Sequence, residues 1–160
     1  MRLRLLACSL ALVALASFAP RAAYAQLRDV KELTLDGVKN IMAAAEAEAR
    51  KQNLNVSIAI VDPSGNLLAF QKMDGAGLSS VDVSQGKART AARFRRPTKA
   101  LEETVAGGRA VLMSFPGILP VEGGVPILVD GRVVGAVGVS GATSAQDAAI
   151  AEAGIAALKK

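Results

Sequence analysis

Residues 56–92, VSIAIVDPSGNLLAFQKMDGAGLSSVDVSQGKARTAA, decide the fold. Val56, Ile58 and Ile60 alternate with Ser57, Ala59 and Val61, the period of a strand. Asp62-Pro63-Ser64-Gly65 follows as a tight turn: Pro63 presets φ, the Asp62 carboxylate can hold the turn's amides, and Gly65 tolerates a left-handed backbone. Leu67 to Gln71 return as a second strand. Met73-Asp74-Gly75-Ala76-Gly77 makes a flexible corner, after which Ser79 or Ser80 is placed to cap a helix carrying Lys87, Thr90 and Ala91.

Outward from that stretch, the N-terminal side predicts a helix with Thr34 as N-cap and Asp36 in its first turn. Leu35, Val38, Met42, Ala45 and Ala49 give it one apolar stripe, and Asn53 is a left-handed stop. On the C-terminal side, Val81, Gln85, Ala88 and Ala92 make a narrow helix face that another element can approach closely. Lys87, Arg89, Arg93, Arg95 and Arg96 crowd the end of that helix. Such cations suit a helix C-terminus and solvent. Lys87 and Arg93 can also reach over the glycine corner towards a ligand carboxylate.

Pro97 interrupts the helix, Thr98 restarts one, and Gly107-Gly108 ends it. The long stretch to Gly124 has little periodicity, the mark of a binding loop or a disordered one. Leu112, Met113, Phe115, Ile118 and Leu119 are too apolar for disorder, so they form a lid over a pocket or meet another subunit. Val125–Val129 and Val133–Ser140 read as a hairpin closed by Asp130-Gly131, with Pro126 marking an edge strand. Gly135, Gly138 and Gly141 match no phosphate-loop pattern and read as points of close approach. Ser144 and Asp147 have the form of a helix N-terminal capping pair, and Ile150, Ile155 and Leu158 supply that helix with an apolar side.

The first 25 residues have the order of a secretory leader: basic Arg2 and Arg4, an apolar run to Phe18, and the small-residue site Ala23-Tyr24-Ala25. The run is too short for a membrane span. The expectation is a signal peptide at 1–25 and a single domain at 26–160, periplasmic or secreted, with no stable membrane insertion after cleavage. Losing Arg2, Arg4 and Arg21 takes the formal charge from +5 to +2, which removes bulk charge as an argument for nucleic acid. The leader also carries the only Cys and the only Tyr, and the chain has no His or Trp. The mature chain therefore forms no disulfide, no thiolate or imidazole zinc site, and no Ser-His or Cys-His nucleophile pair.

Several motifs in fixed order carry a family resemblance. They are Asp62-x-x-Gly65, Met73-Asp74-Gly75-Ala76, Lys87-Ala88-x-Thr90-Ala91, Pro97-Thr98, Gly123-Gly124-x-Pro126 and Gly135-Ala136-x-Gly138-Val139-Ser140-Gly141. From Leu33 to Ile155 the chain resembles the GlcG/HbpS haem-binding family, related to the C-terminal domain of the PduO cobalamin enzymes. The resemblance implies an α+β fold: a profilin- or PAS-like antiparallel sheet of about five strands flanked by helices, the fifth a short strand around Ile118 to Val121. It also implies a homo-oligomer and haem, or a related tetrapyrrole, as the small-molecule ligand. The residues singled out for that ligand are Lys87, Arg93, Met73, Met113, Phe115 and Ile118. Without His, or Cys and Tyr in the mature chain, iron ligation falls to Met73, Met113 or Lys87, or to weaker oxygen ligands.

Three functions follow from this reading. The first is an exported haem binder or sensor accessory that is not a catalyst. The second is a cofactor-free enzyme for a small organic acid, using Asp74, Glu122 or Lys87 for proton transfer. The third is a structural oligomeric module.

Overall fold

The computed structural model describes residues 30–158. The expected leader and its cleavage site lie outside the described residues. The order of elements is α1 (Leu35–Lys51), β1 (Ser57–Val61), β2 (Leu67–Lys72), α2 (Ser80–Phe94), α3 (Thr98–Ala106), a 3-10 turn (Ala110–Ser114), β3 (Gly124–Val129), β4 (Arg132–Ser140) and α4 (Ser144–Ala156). The four strands form one antiparallel sheet in the order β2-β1-β4-β3. No described helix is long and apolar enough to cross a membrane.

Strand β1 is buried along its whole length, because both faces of the sheet are covered. Val56, Ile58 and Ile60 join Ile41 and Ala45 of α1, Val137 and Val139 of β4, and Ile150 of α4. On the opposite face, Ala59 and Val61 meet Ala88, Ala91 and Ala92 of α2 together with Ala136. The alternation in the sequence thus sorts side chains between two apolar layers, with small residues on the α2 side. There the helix lies almost on the strand: a Cβ at Gly138 would sit 2.9 Å from the Cβ of Ala88.

The turns form as their residues require. Asp62 Oδ1 accepts from the amides of Ser64 (2.8 Å) and Asn66 (2.9 Å), and Gly65 takes φ +89°. Asp130 and Gly131 both have positive φ, as the tight β3–β4 turn demands. Partial burial pushes the Asp62 carboxyl up, but its bonds to Asn66, Ser64 and Gly65 outweigh that, and its pKa lies below the ordinary value. A depressed carboxyl contributes stability above its unfolded pKa and loses it as pH falls through the folded one. The stability gap between the wild type and Asp62→Asn should therefore be constant near neutrality and shrink below about pH 4. Urea midpoints at several pH values check this.

Four expectations need correction. The sheet has four strands, not about five: Pro120 has no N–H, and the amides of Ile118 and Val121 turn back to Phe115 O and Leu119 O. Neither Ser79 nor Ser80 caps α2; the Ser80 hydroxyl donates to Gly77 O and meets Ser57 Oγ at 2.7 Å. Thr98 starts α3 without capping it, its Oγ1 accepting from Gly124 N at 2.9 Å. The cap of α4 is Thr143 with Gln146, a reciprocal capping box one residue earlier than the Ser144–Asp147 pair.

Candidate ligand-binding site

Helix α2 and the loop that follows α3 supply the site. The loop is tied to the helix by Leu119 N, which donates to Thr90 Oγ1 at 2.8 Å. Leu119 also packs over Gly86, where a Cβ would come within 2.8 Å of its side chain. Phe115 meets Phe94 edge to face, with ring centroids 6.1 Å apart and planes at 87°, an arrangement that suits the aromatic quadrupoles. These anchors leave Val111, Met113 and Phe115 exposed, at 62%, 55% and 53%. Leu112 and Ile118 are half-buried on the inner side.

Two clefts flank this loop. The larger, about 450 Å³, is lined by Gly65, Asn66, Leu67, Arg89, Arg93, Pro116 and Gly117. Arg93 Nε donates to Ser64 O at 3.0 Å and Arg89 Nε to Gly65 O at 3.5 Å. The smaller, about 220 Å³, is lined by Phe94, Arg96, Leu101, Thr104, Arg109 and Leu112. Among the described residues no carboxylate lies within ion-pair distance of any of these four arginines.

The structure brings Arg93, Met113, Phe115 and Ile118 around this loop and places Lys87 and Met73 elsewhere. Lys87 is 2% exposed. Its Nζ donates to Asp147 Oδ2 (2.7 Å) and Val139 O (3.0 Å), so its ammonium is turned inward and not out over the glycine corner. Burial pushes the Asp147 carboxyl above its usual range, against the pull of Lys87 and the Ala142 amide. Met73 lies in the core with α1: its amide donates to Val56 O (3.0 Å), which extends the β1–β2 pairing by a residue and turns its side chain inward.

Asp74, Glu122 and Lys87 do not assemble a proton-transfer site. Glu122 pairs with Lys99 at 3.1 Å, Asp74 is exposed, and neither cleft is lined by any of the three. Sequence reasoning missed Arg89, whose signal was its four-residue spacing from Arg93 on one helix face.

A family profile described as "Haem degrading protein HbpS-like" matches residues 33–156. The chain belongs to the HbpS-like family. Within it, the chain is 51% identical over 100 residues to Protein GlcG of Escherichia coli K12, covering 62% of this chain and 75% of that one. It superimposes on the crystal structure of an HbpS double mutant from Streptomyces reticuli with a TM-score of 0.79 at 36% identity, over 85% and 93% of the two chains. The crystal structure of a PduOC–haem complex matches with a TM-score of 0.74 at 28% identity, over 81% and 96%. The HbpS-like fold is therefore shared along nearly all of the described chain.

Proposed function

We propose that this HbpS-like chain is an exported haem-binding protein, a binder or sensor accessory, whose haem lies against the 110–118 loop. The observation that carries the reading is the exposure of Val111, Met113 and Phe115 within five consecutive positions. Covering such side chains fully is worth roughly 1.5–3 kcal/mol each, and a flat apolar ring has the shape to cover all three. Arg96 and Arg109 border the same loop, have no carboxylate partner among the described residues, and suit propionates.

The donor set supports the fit. Of the three residues considered for iron, Met73 and Lys87 are enclosed, whereas Met113 is exposed. A thioether is an accepted axial ligand that raises the potential of bound iron. Relatives with haem in their descriptions, the HbpS-like family and the PduOC complex, favour the same ligand. Export rests on the leader-like residues 1–25. Self-association is part of the reading, since Leu67 and Leu68 of the edge strand β2 are about half exposed.

Titrating the purified protein with hemin tests this. The expected result is a shifted Soret band that saturates at a fixed stoichiometry. Replacing Val111 and Phe115 together with Ser should weaken binding by about tenfold or more, from lost apolar cover. A spectrum equal to that of free hemin at every ratio would exclude the reading.

A further inference from the structure

The larger cleft is poorly made for a macrocycle. Its apolar lining is limited to Leu67 and Pro116, and the rest is backbone, Asn66 and two guanidiniums. We propose that it is a separate site for a compact dicarboxylic acid, held at its two ends by Arg89 and Arg93.

The two arginines are four residues apart on the helix, about 6 Å along the axis, and the 64–65 turn holds both side chains against it. Both commit Nε to a carbonyl of the 64–65 turn, Arg93 to Ser64 and Arg89 to Gly65. Both keep their terminal Nη groups for another acceptor. Gly65 makes this clamp possible: a Cβ there would lie 2.8 Å from Arg89 Cγ and 3.0 Å from Arg93 Nε. Across the cleft, Arg93 Nη1 is 4.0 Å from where a Cβ of Gly117 would stand, so the loop closes on it without a side chain in the way.

Among the described residues no carboxylate lies within ion-pair distance of either arginine. The Asp62 carboxylate of the same turn is occupied by the amides of Ser64 and Asn66 and by Asn66 Nδ2 at 2.9 Å. A planar fork matches a carboxylate in two parallel hydrogen bonds. Two forks anchored on different carbonyls, a turn apart, suit two anionic ends better than one anionic centre. The methylenes between those ends would lie against Leu67 and Pro116.

Succinate is the probe, with acetate and inorganic phosphate as comparisons, in calorimetric titrations of the purified protein with and without bound hemin. Succinate should bind saturably, at least about tenfold tighter than acetate or phosphate. Arg89→Gln and Arg93→Gln should each weaken it about tenfold to a hundredfold. Because these side chains also brace the turn, Arg93→Lys is the second variant: it keeps the charge, loses the fork, and should still weaken succinate several-fold. Arg95→Gln, outside the cleft, should change nothing.

Absence of saturable succinate binding, phosphate binding as tight as succinate, or wild-type affinity in Arg89→Gln and Arg93→Gln would overturn the proposal. Competitive displacement of hemin by succinate would also overturn it, since the cleft would then serve the propionates of haem. A protein that binds succinate but not hemin would leave this site standing and remove the haem reading alone.

Discussion

Lys87→Met should cost about 3–5 kcal/mol and lower Tm by roughly 10–20 °C, the largest loss expected from any single charge in this chain. Lys87 and Asp147 are each 2% exposed and bonded at 2.7 Å, and the pair joins α2 to α4 across the end of β4. Removing the ammonium leaves a buried carboxylate that, among the described residues, keeps the Ala142 amide as its donor, at 3.1 Å. The loss should depend on pH with a definite sign. Burial already pushes the Asp147 carboxyl upward, and without Lys87 the shift grows. A carboxyl with a raised folded pKa favours folding below its unfolded value and loses that contribution as pH rises through the folded one. The variant's deficit should therefore be smaller at pH 5 than at pH 8. Replacing both partners, Lys87→Met with Asp147→Leu, should recover most of the stability, because a buried pair often contributes little over apolar residues of similar volume. Thermal melts of the three variants at two pH values measure this. A Lys87→Met protein as stable as the wild type at pH 8 would mean the pair is open to water.

Gly138→Ala should be nearly as damaging, at about 3 kcal/mol or more, by overpacking. A Cβ at this position points into the backbone of α2 at Ser84 and Ala88. Those are main-chain atoms of a helix and cannot swing aside as the tip of a long side chain can. To accept the methyl, α2 must lift from β1 and β4, opening the thin alanine layer of Ala59, Ala88, Ala91 and Ala136. Gly77→Ala is the matched control: nothing lies within 4 Å of its added Cβ, and the change should stay within about 0.5 kcal/mol. Urea unfolding separates the two. Equal midpoints for both variants would show that the helix–strand contact is looser than its geometry.

The contrast between these residues and the turns shows what was legible in the chain. Thr34 and Asp62 accept from amides within four residues of themselves, and Asp130-Gly131 take the positive φ of their own turn, so local chemistry predicted these roles correctly. Strand β1 was legible in its alternation, though not its burial on both faces, and the close approach at Gly138 was legible in a glycine within a strand. Lys87 was misread because its partner lies 60 positions away. Its helix stripe with Ser84, Ala88 and Ala91 faces the sheet, and that spacing was the available clue. Thr98 and Ser80 look like caps in a linear reading, yet the fold brings Gly124 and Ser57 against their hydroxyls. Met73 follows a strand and precedes an acid and a glycine, which reads as an exposed corner until one more backbone bond to Val56 turns it inward. Arg93, Met113 and Phe115, chosen by residue type, lie around the 110–118 loop and its flanking clefts. Arg89 was set aside as a solvated cation, because its place beside Arg93 depends on the folded turn at 64–65, where its Nε meets Gly65 O.

If haem lies against the 110–118 loop as proposed, Met113 would hold its iron, and absorption spectra of the hemin complex test this most directly. Ferric complexes of the wild type, Met113→Ala and Met73→Ala are compared at equal saturation. The account predicts that Met113→Ala loses the wild-type Soret position and the weak far-red band of thioether ligation, while Met73→Ala keeps both. An unchanged spectrum in Met113→Ala, with hemin still bound, would contradict it.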